Sequence, residues 1–259
     1  MAERSYETIR AETDVRGIAT LTLAHPPLNV LDIPMLEEMG DALDRMVETD
    51  GVRVVVIRAE GRAFSAGVDV KDHVEEKVPV MISVFHHVVR TLDASPVPSV
   101  AVVQGSALGG GMELVLACDF AIAAEGATFA QPEVKLAVFP PVALLKLPRS
   151  IPERKALEIC MLGEPMTAAD AERWGIVNRT VPASELDAAA GAMVEKILAL
   201  SPAVLSQMLD AHRHARELPY GAAFAEIERR YLEDLMRTED ANEGIRSFME
   251  KRPPKWKGR

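Results

Sequence analysis

Apolar and polar residues alternate along residues 17–23 (GIATLTL) and more loosely along 6–12, which predicts two strands joined by a charged turn. His25-Pro26-Pro27-Leu28-Asn29 then breaks regular structure. Ile33, Leu36, Met39, Leu43, Met46 and Val47 recur at helical spacing and predict an amphipathic helix over 33–47. The β-branched run VRVVVI at 52–57 reads as a buried strand of a parallel sheet. Residues 71–92 are helix-compatible, with Pro79 suggesting a break inside them. A second buried strand, PSVAVV at 98–103, runs into Gly105-Ser-Ala-Leu-Gly-Gly-Gly. A helix over 112–118 and a short strand over 120–123 follow. Beyond about residue 143 the pattern is helical, over 152–162, 168–174, 183–200, 202–217 and 222–236. The sum is an α/β core followed by a helical C-terminal region.

The 259 residues suffice for one large domain, or for one with a helical subdomain. No run of eighteen apolar residues occurs, so no membrane span is expected. The polar start MAERSYETIRAE does not resemble a secretory signal. Cys118 and Cys160, each flanked by apolar residues, read as buried packing thiols in a reducing, cytoplasmic setting. The net charge of −10 argues against non-specific nucleic-acid binding. A local cation cluster can still grip phosphates, so the tail EKRPPKWKGR is either such a grip or a solvated end. His86-His87 and His212-x-His214 sit at spacings poor for one metal and read as surface residues. Asp69 and Asp72 lack further acidic neighbours, so no metal is expected, and Trp174 and Trp256 read as packing residues.

Three segments carry candidate chemistry. In Arg62-Ala-Phe-Ser-Ala-Gly-Val-Asp69, Gly67 permits a backbone turn that lets Val68 present its N–H to a cleft. In Gly109-Gly110-Gly111-Met112-Glu113, three glycines open a helix whose first N–H groups are free for a ligand. The spacing fits neither a dinucleotide fingerprint nor a P-loop. Two N–H groups from separate strand ends are what an oxyanion hole for a thioester enolate requires. The third feature is Glu113 with Glu133, the latter in ATFAQPEVKLAVFPP. Singly, one is a helix-dipole acid and the other a loop acid; together they can converge as an acid/base couple.

AFSAGVDVKD, GSALGGGMELVLACD and ATFAQPEVKLAV resemble the three sequence blocks of the crotonase (enoyl-CoA hydratase/isomerase) superfamily, in order, with further similarity in LGEPMTAADAERWGIVNRTVP and SFMEKRPP. The resemblance implies an α/β spiral of ββα units over 1–195 carrying the CoA and catalytic sites. A helical C-terminal region, 196–259, would mediate a homotrimer or a hexamer made of two trimers. It implies Val68 and Gly110 as the oxyanion-hole N–H donors, and Glu113 and Glu133 as the acids of a hydratase. Ala66, Asp69, Val70 and Lys71 would contact the acyl-CoA, and a neighbouring subunit would lend Lys251. CoA is then part of the substrate, with no separate cofactor. Retention of both acids favours hydration over isomerisation or thioester hydrolysis, the enzyme alternatives, and over the RNA-binding role of some relatives.

One stretch departs from the pattern. Where hydratases usually carry Pro-Gly-Ala-Gly-Gly, this chain has Phe139-Pro140-Pro141-Val142-Ala143-Leu144. Pro141 has no N–H to help hold a water, and Phe139, Val142 and Leu144 add apolar bulk. FSAGVDVKDH, PPLNVLD and the FPP segment together resemble cyclic dienoyl-CoA hydratases. The substrate expected on that resemblance is cyclohexa-1,5-diene-1-carbonyl-CoA, in anaerobic aromatic degradation.

Overall fold

A computed structural model describes residues 5–259; the first four residues of the polar start lie outside the described residues. The chain winds between two sheets. The larger has the strand order β1 (Ile9–Thr13), β2 (Ile18–Leu23), β3 (Val54–Ala59), β5 (Ser99–Val103), β7 (Phe120–Ala124) and β10 (Arg179–Val181). The smaller has the order β4 (Ala63–Ser65), β6 (Ser106–Leu108), β8 (Thr128–Ala130) and β9 (Met166–Thr167). Only β1–β2 and β8–β9 are antiparallel. From β3 to β8 the chain places one strand in the large sheet and the next in the small one, then returns through helical structure. The repeats β3–β4–α2 (Val78–Ala94) and β5–β6–α3 (Gly110–Ala117) are two turns of this ββα spiral.

The apolar pattern explains why β3 and β5 lie at its centre. On β3, Val55 and Ile57 face the main core with Met35, Leu36 and Met39 of α1 (Ile33–Glu48). Its alternate residues Val54 and Val56 face a second core, closed by Leu186, Val194 and Ile197 of α7 (Leu186–Leu198). A strand covered on both faces has no polar side, hence the unbroken VVVI.

The sequence expectations need four adjustments. Pro79 stands in the first turn of α2, where a missing N–H costs nothing, so it starts the helix and does not break one. Residues 71–77 hold only a short 3-10 turn, Val70–Asp72, and further turns. Helical structure begins earlier than about residue 143: Phe139 and Pro140 lie outside any helix, and Pro141 is the first residue of α4 (Pro141–Ser150). The tail is largely exposed, as a solvated end would be, but its backbone is anchored to the helical region. Buried Asp240 of α10 (Glu239–Met249) accepts from the N–H groups of Lys257 and Gly258 and from Ser201 Oγ. Trp256 Nε1 donates to Ala199 O, a packing role as expected.

The remaining helices are α5 (Glu153–Leu162), α6 (Ala168–Trp174), α8 (Pro202–Ala215) and α9 (Tyr220–Glu233). Arg213 of α8 donates to Asp119 at 3.0 Å and to the carbonyl of Ser95, tying that helix to the core. No single helix among the described residues is long and apolar enough to cross a membrane.

Candidate active site

The three segments singled out in the sequence leave the small sheet at the C-terminal ends of three adjacent parallel strands. Val68 follows β4, Gly110 follows β6 and Glu133 follows β8, so the order β4–β6–β8 sets them side by side. Between these ends and α2 lies a cleft of about 520 Å³. Of the residues expected at the site, Ala66, Val68, Val70, Gly110, Glu113 and Glu133 line it. Phe139 and Pro141 line it as well. Asp69, Lys71 and Lys251 are outside that lining. Asp69 Oδ1 accepts from Lys71 N–H, while the Lys71 side chain is exposed. Lys251 sits exposed just past α10. Val142 is buried in the core and Leu144 is outside the cleft, so of the apolar bulk expected here only Phe139 borders it.

Backbone geometry accounts for the two N–H groups. Val68 forms a parallel bridge with Leu31, through Leu31 N–H to Gly67 O at 2.9 Å and Asp69 N–H to Leu31 O at 3.0 Å. Those bonds use the residues on either side of Val68. Its own N–H therefore points away from Leu31 and has no acceptor among the described residues. Gly67, at φ +99°, makes the turn; a Cβ there would come within 2.8 Å of Leu108 O and 3.6 Å of Gly110 N. Of the three glycines, Gly109 gives its N–H to Ala130 O at 2.8 Å. A Cβ on Gly111 would stand 2.6 Å from Ser65 O, so that glycine is held against β4. Gly110 opens α3 with no acceptor for its N–H among the described residues, as the first residue of a helix does.

Glu113 is buried and Glu133 half-buried, and they are held by different means. Glu113, only 3% exposed, has Oε1 held by Val142 N–H at 2.7 Å and Ala143 N–H at 2.8 Å. These are the first free amides of α4, so the helix N-terminus that Pro141 opens is aimed at Glu113. Burial nevertheless pushes the Glu113 carboxyl up to about 7; the amides oppose this and the Glu133 charge adds to it. Glu133 lies in a 3-10 turn, Pro132–Leu136, against Gly109, where a Cβ would come 2.6 Å from its Oε1. The buried Gln131 amide donates to both of its oxygens, at 3.1 and 3.2 Å. Burial pushes Glu133 up to about 7 as well.

Other residues here were not foreseen. Asn29, fully buried in PPLNVLD, donates to Glu60 O at 2.7 Å and Ala63 O at 3.0 Å, bracing β4 beneath Val68. Its signal was an amide in an apolar run. The α2 stripe of Val78, Met81, Ile82, Phe85 and His86 lines the opposite wall. His86 corrects the surface expectation, being half-buried on the cleft, whereas His87, His212 and His214 are exposed. Cys160 is buried, and burial with the negative charge of Glu113 and Glu133 pushes its thiol up to about 11, an inert packing group. Asp72 is also buried, but it takes Ile33 N–H and the Lys77 ammonium, a structural role. Among the described residues no three His, Cys, Asp or Glu side chains gather as a metal site requires.

Residues 13–259 match the enoyl-CoA hydratase/isomerase family, and the chain belongs to it. It is 34% identical over 247 residues to a probable enoyl-CoA hydratase of Bacillus subtilis, spanning 93% of this chain and 95% of that one. It is 36% identical over 250 residues to the carnitinyl-CoA dehydratase of Salmonella typhi, spanning the same shares, 93% and 95%. The solved enoyl-CoA hydratase of Mycobacterium smegmatis superposes with a TM-score of 0.92 at 32% identity, over 96% of this chain and 99% of that one. This is a crotonase-type enzyme fold.

Proposed function

We propose that the chain hydrates an α,β-unsaturated acyl-CoA, adding water across the double bond conjugated to the thioester. The observation that carries this is the facing of two raised carboxyls, Glu113 and Glu133, by two unpaired N–H groups, Val68 and Gly110. With Oε1 held by two amides, Glu113 keeps Oε2 for a water. In this reading Glu113 takes a proton as the water oxygen bonds to the β-carbon. The π electrons move toward the thioester oxygen, which Val68 and Gly110 receive. Protonated Glu133 then delivers its proton to the α-carbon, and proton exchange with solvent resets the pair. Relatives named hydratase and dehydratase support the same chemistry in its two directions. The reading calls for no cofactor beyond the CoA carried by the substrate.

The acyl group we infer is a planar, unsaturated ring. The N–H groups of α4 support it: Val142 and Ala143 serve Glu113, Leu144 serves Pro140 O, and Pro141 has none. No amide of that turn is left to fix a water for addition beside the thioester. In a cyclohexa-1,5-diene the water oxygen still bonds to the β-carbon. The dienolate can take its proton at the far end of the conjugated system, so the ring changes where the proton is delivered. Phe139, Leu136 and Val138 give the ring an apolar wall, worth about 25 cal/mol per Å² buried. A rigid ring also loses little entropy on binding. The test is kcat/KM for cyclohexa-1,5-diene-1-carbonyl-CoA against crotonyl-CoA. The diene is expected to win, and a tenfold advantage for crotonyl-CoA defeats the ring assignment.

We also propose that the chain assembles as a trimer or a pair of stacked trimers. Met208, Phe224, Leu232, Phe248 and Met249 on the C-terminal helices are each more than half exposed, as are Met161 and Leu162 of α5. Light scattering at micromolar concentration is expected to give three or six copies, and a stable monomer contradicts it.

A further inference from the structure

The N–H groups of Ala66, Gly67 and Asp69 each have an acceptor: Leu28 O at 2.9 Å, Ser65 Oγ at 3.1 Å and Leu31 O at 3.0 Å. That of Val68, between them, has none among the described residues. Two of the three acceptors are backbone carbonyls, and the third is a side chain. Ser65 is the last residue of β4 and is fully buried. Asn29 O is a carbonyl and can only accept, so the Ser65 hydroxyl gives its hydrogen there, at 2.8 Å. A lone pair of the same oxygen receives Gly67 N–H. Asn29 is itself held fast. Its φ is +48°, and its side chain is tied to His25 N–H, Glu60 O and Ala63 O.

Gly67 is the pivot of this turn, a residue with unusual freedom about its backbone bonds. Ser65 fixes the peptide plane before it. Leu31 N–H, bonded to Gly67 O at 2.9 Å, fixes the plane after it, which carries Val68 N–H. The same serine meets the strand and helix of the other donor. It pairs with Ala107 of β6, and a Cβ on Gly111 would stand 2.8 Å from its Cβ and 3.0 Å from its Oγ. Ser65 thus lies between the Val68 turn and the first turn of α3, where Gly110 sits. Alanine would fit the space but would leave Gly67 N–H buried with no acceptor. A glycine relieves that cost by turning its peptide planes, and Val68 N–H turns with them.

We propose that Ser65 is a positioning residue of the oxyanion hole, its hydroxyl holding Val68 N–H where the thioester oxygen needs it. The proposal rests on the reading of Val68 and Gly110 as the two donors. Ser65 is not on the cleft lining and acts through Val68. An oxyanion donor must stand about 2.7–3.1 Å from the developing charge, so a displaced donor weakens the transition state more than the neutral ground state.

Benzoyl-CoA tests this without turnover, because its ring is planar and resists water addition. With carbon-13 in the thioester carbonyl, isotope-edited infrared spectra read the C=O stretch of the bound ligand. That stretch falls in frequency as the oxygen accepts hydrogen bonds. The native enzyme is expected to lower it, and Ser65→Ala to lose about half of the downshift or more. Its Kd for benzoyl-CoA should stay within about threefold of native. On a hydrated acyl-CoA, kcat should fall by about 10- to 100-fold with KM little changed. Ser65→Cys, with a weaker donor and acceptor at the same place, is expected between the two, and it serves as the test if the alanine variant does not fold. Full downshift or full kcat in a folded variant overturns the proposal. So does a variant that loses affinity while its bound ligand keeps the downshift, since Ser65 then serves only the fold. A native enzyme that does not bind benzoyl-CoA, or binds it without a downshift, overturns the reading of the site itself and the Ser65 proposal with it. Because the ligand does not react, absence of hydratase activity bears on the Proposed function alone.

Discussion

Changing Glu113 or Glu133 to glutamine is expected to lower kcat for hydration by about 10²- to 10⁴-fold, the range for a positioned acid or base. KM for the acyl-CoA should change little, because neither carboxylate is assigned to CoA. The two variants should fail for different reasons. Glu113→Gln keeps an oxygen for the Val142 and Ala143 amides but loses the lone pair that takes a proton from water. Glu133→Gln keeps the shape beside Gly109 and loses the proton for the α-carbon. A variant that keeps more than roughly a third of native kcat removes that residue from the mechanism.

The same carboxyls set a pH dependence with a definite sign. Each is raised from 4.5 to about 7 by burial. A mechanism with one acid and one base needs the singly protonated pair, so kcat/KM against pH should be bell-shaped around neutrality, with two apparent values that belong to the pair. For stability, a carboxyl whose folded value lies above its unfolded value favours folding below about 4.5, and that contribution is lost as pH rises through about 7. Glu113→Gln is therefore expected to be more stable than the native enzyme at pH 8, by about 2–3 kcal/mol. The difference should vanish near pH 4. Denaturant unfolding at the two pH values reads it, and equal stability at pH 8 contradicts the burial cost.

Removing either oxyanion donor should be nearly as damaging. Val68→Pro deletes an N–H that the Leu31 bridge does not use, so the fold loses no hydrogen bond while activity falls by about 10²- to 10³-fold. Gly110→Pro deletes the other N–H at the first helical position, where proline is tolerated. Its ring meets the Val68 side chain, since even a Cβ there would approach Val68 Cγ2 to 2.7 Å, so circular dichroism must precede the assay. Val68→Ala keeps the backbone and is expected to be mild. Full activity in a folded Val68→Pro enzyme defeats the oxyanion assignment.

These residues were legible in the sequence because each stands in a local pattern with a physical cause. A glycine turn follows a strand, three glycines open a helix, and an acid follows Gln-Pro. Five of the six large-sheet strands were equally visible, β3 and β5 because burial on both faces leaves the runs VVVI and SVAVV. The sixth, β10, three residues long in a stretch read as helical, was not. The small sheet was not. Its strands are two or three residues long, too short to show a period, although their ends carry the site. Pro141 was read as a missing donor, but the amides after it became assignable only once α4 was seen to point at Glu113. His86 was hidden for a related reason. Adjacent histidines on a helix look alike in sequence, and only the packing of α2 separates His86 on the cleft from His87 beside Asp44.

Whether this site adds water is read from the fate of the substrate's atoms. Crotonyl-CoA and cyclohexa-1,5-diene-1-carbonyl-CoA are each incubated with the enzyme in oxygen-18 water, and the products are read by mass spectrometry. An intact CoA thioester that has gained one labelled water, with the label in a hydroxyl on the acyl group, is expected. A shifted double bond without added mass, or free CoA with the label in a carboxylate, contradicts hydration.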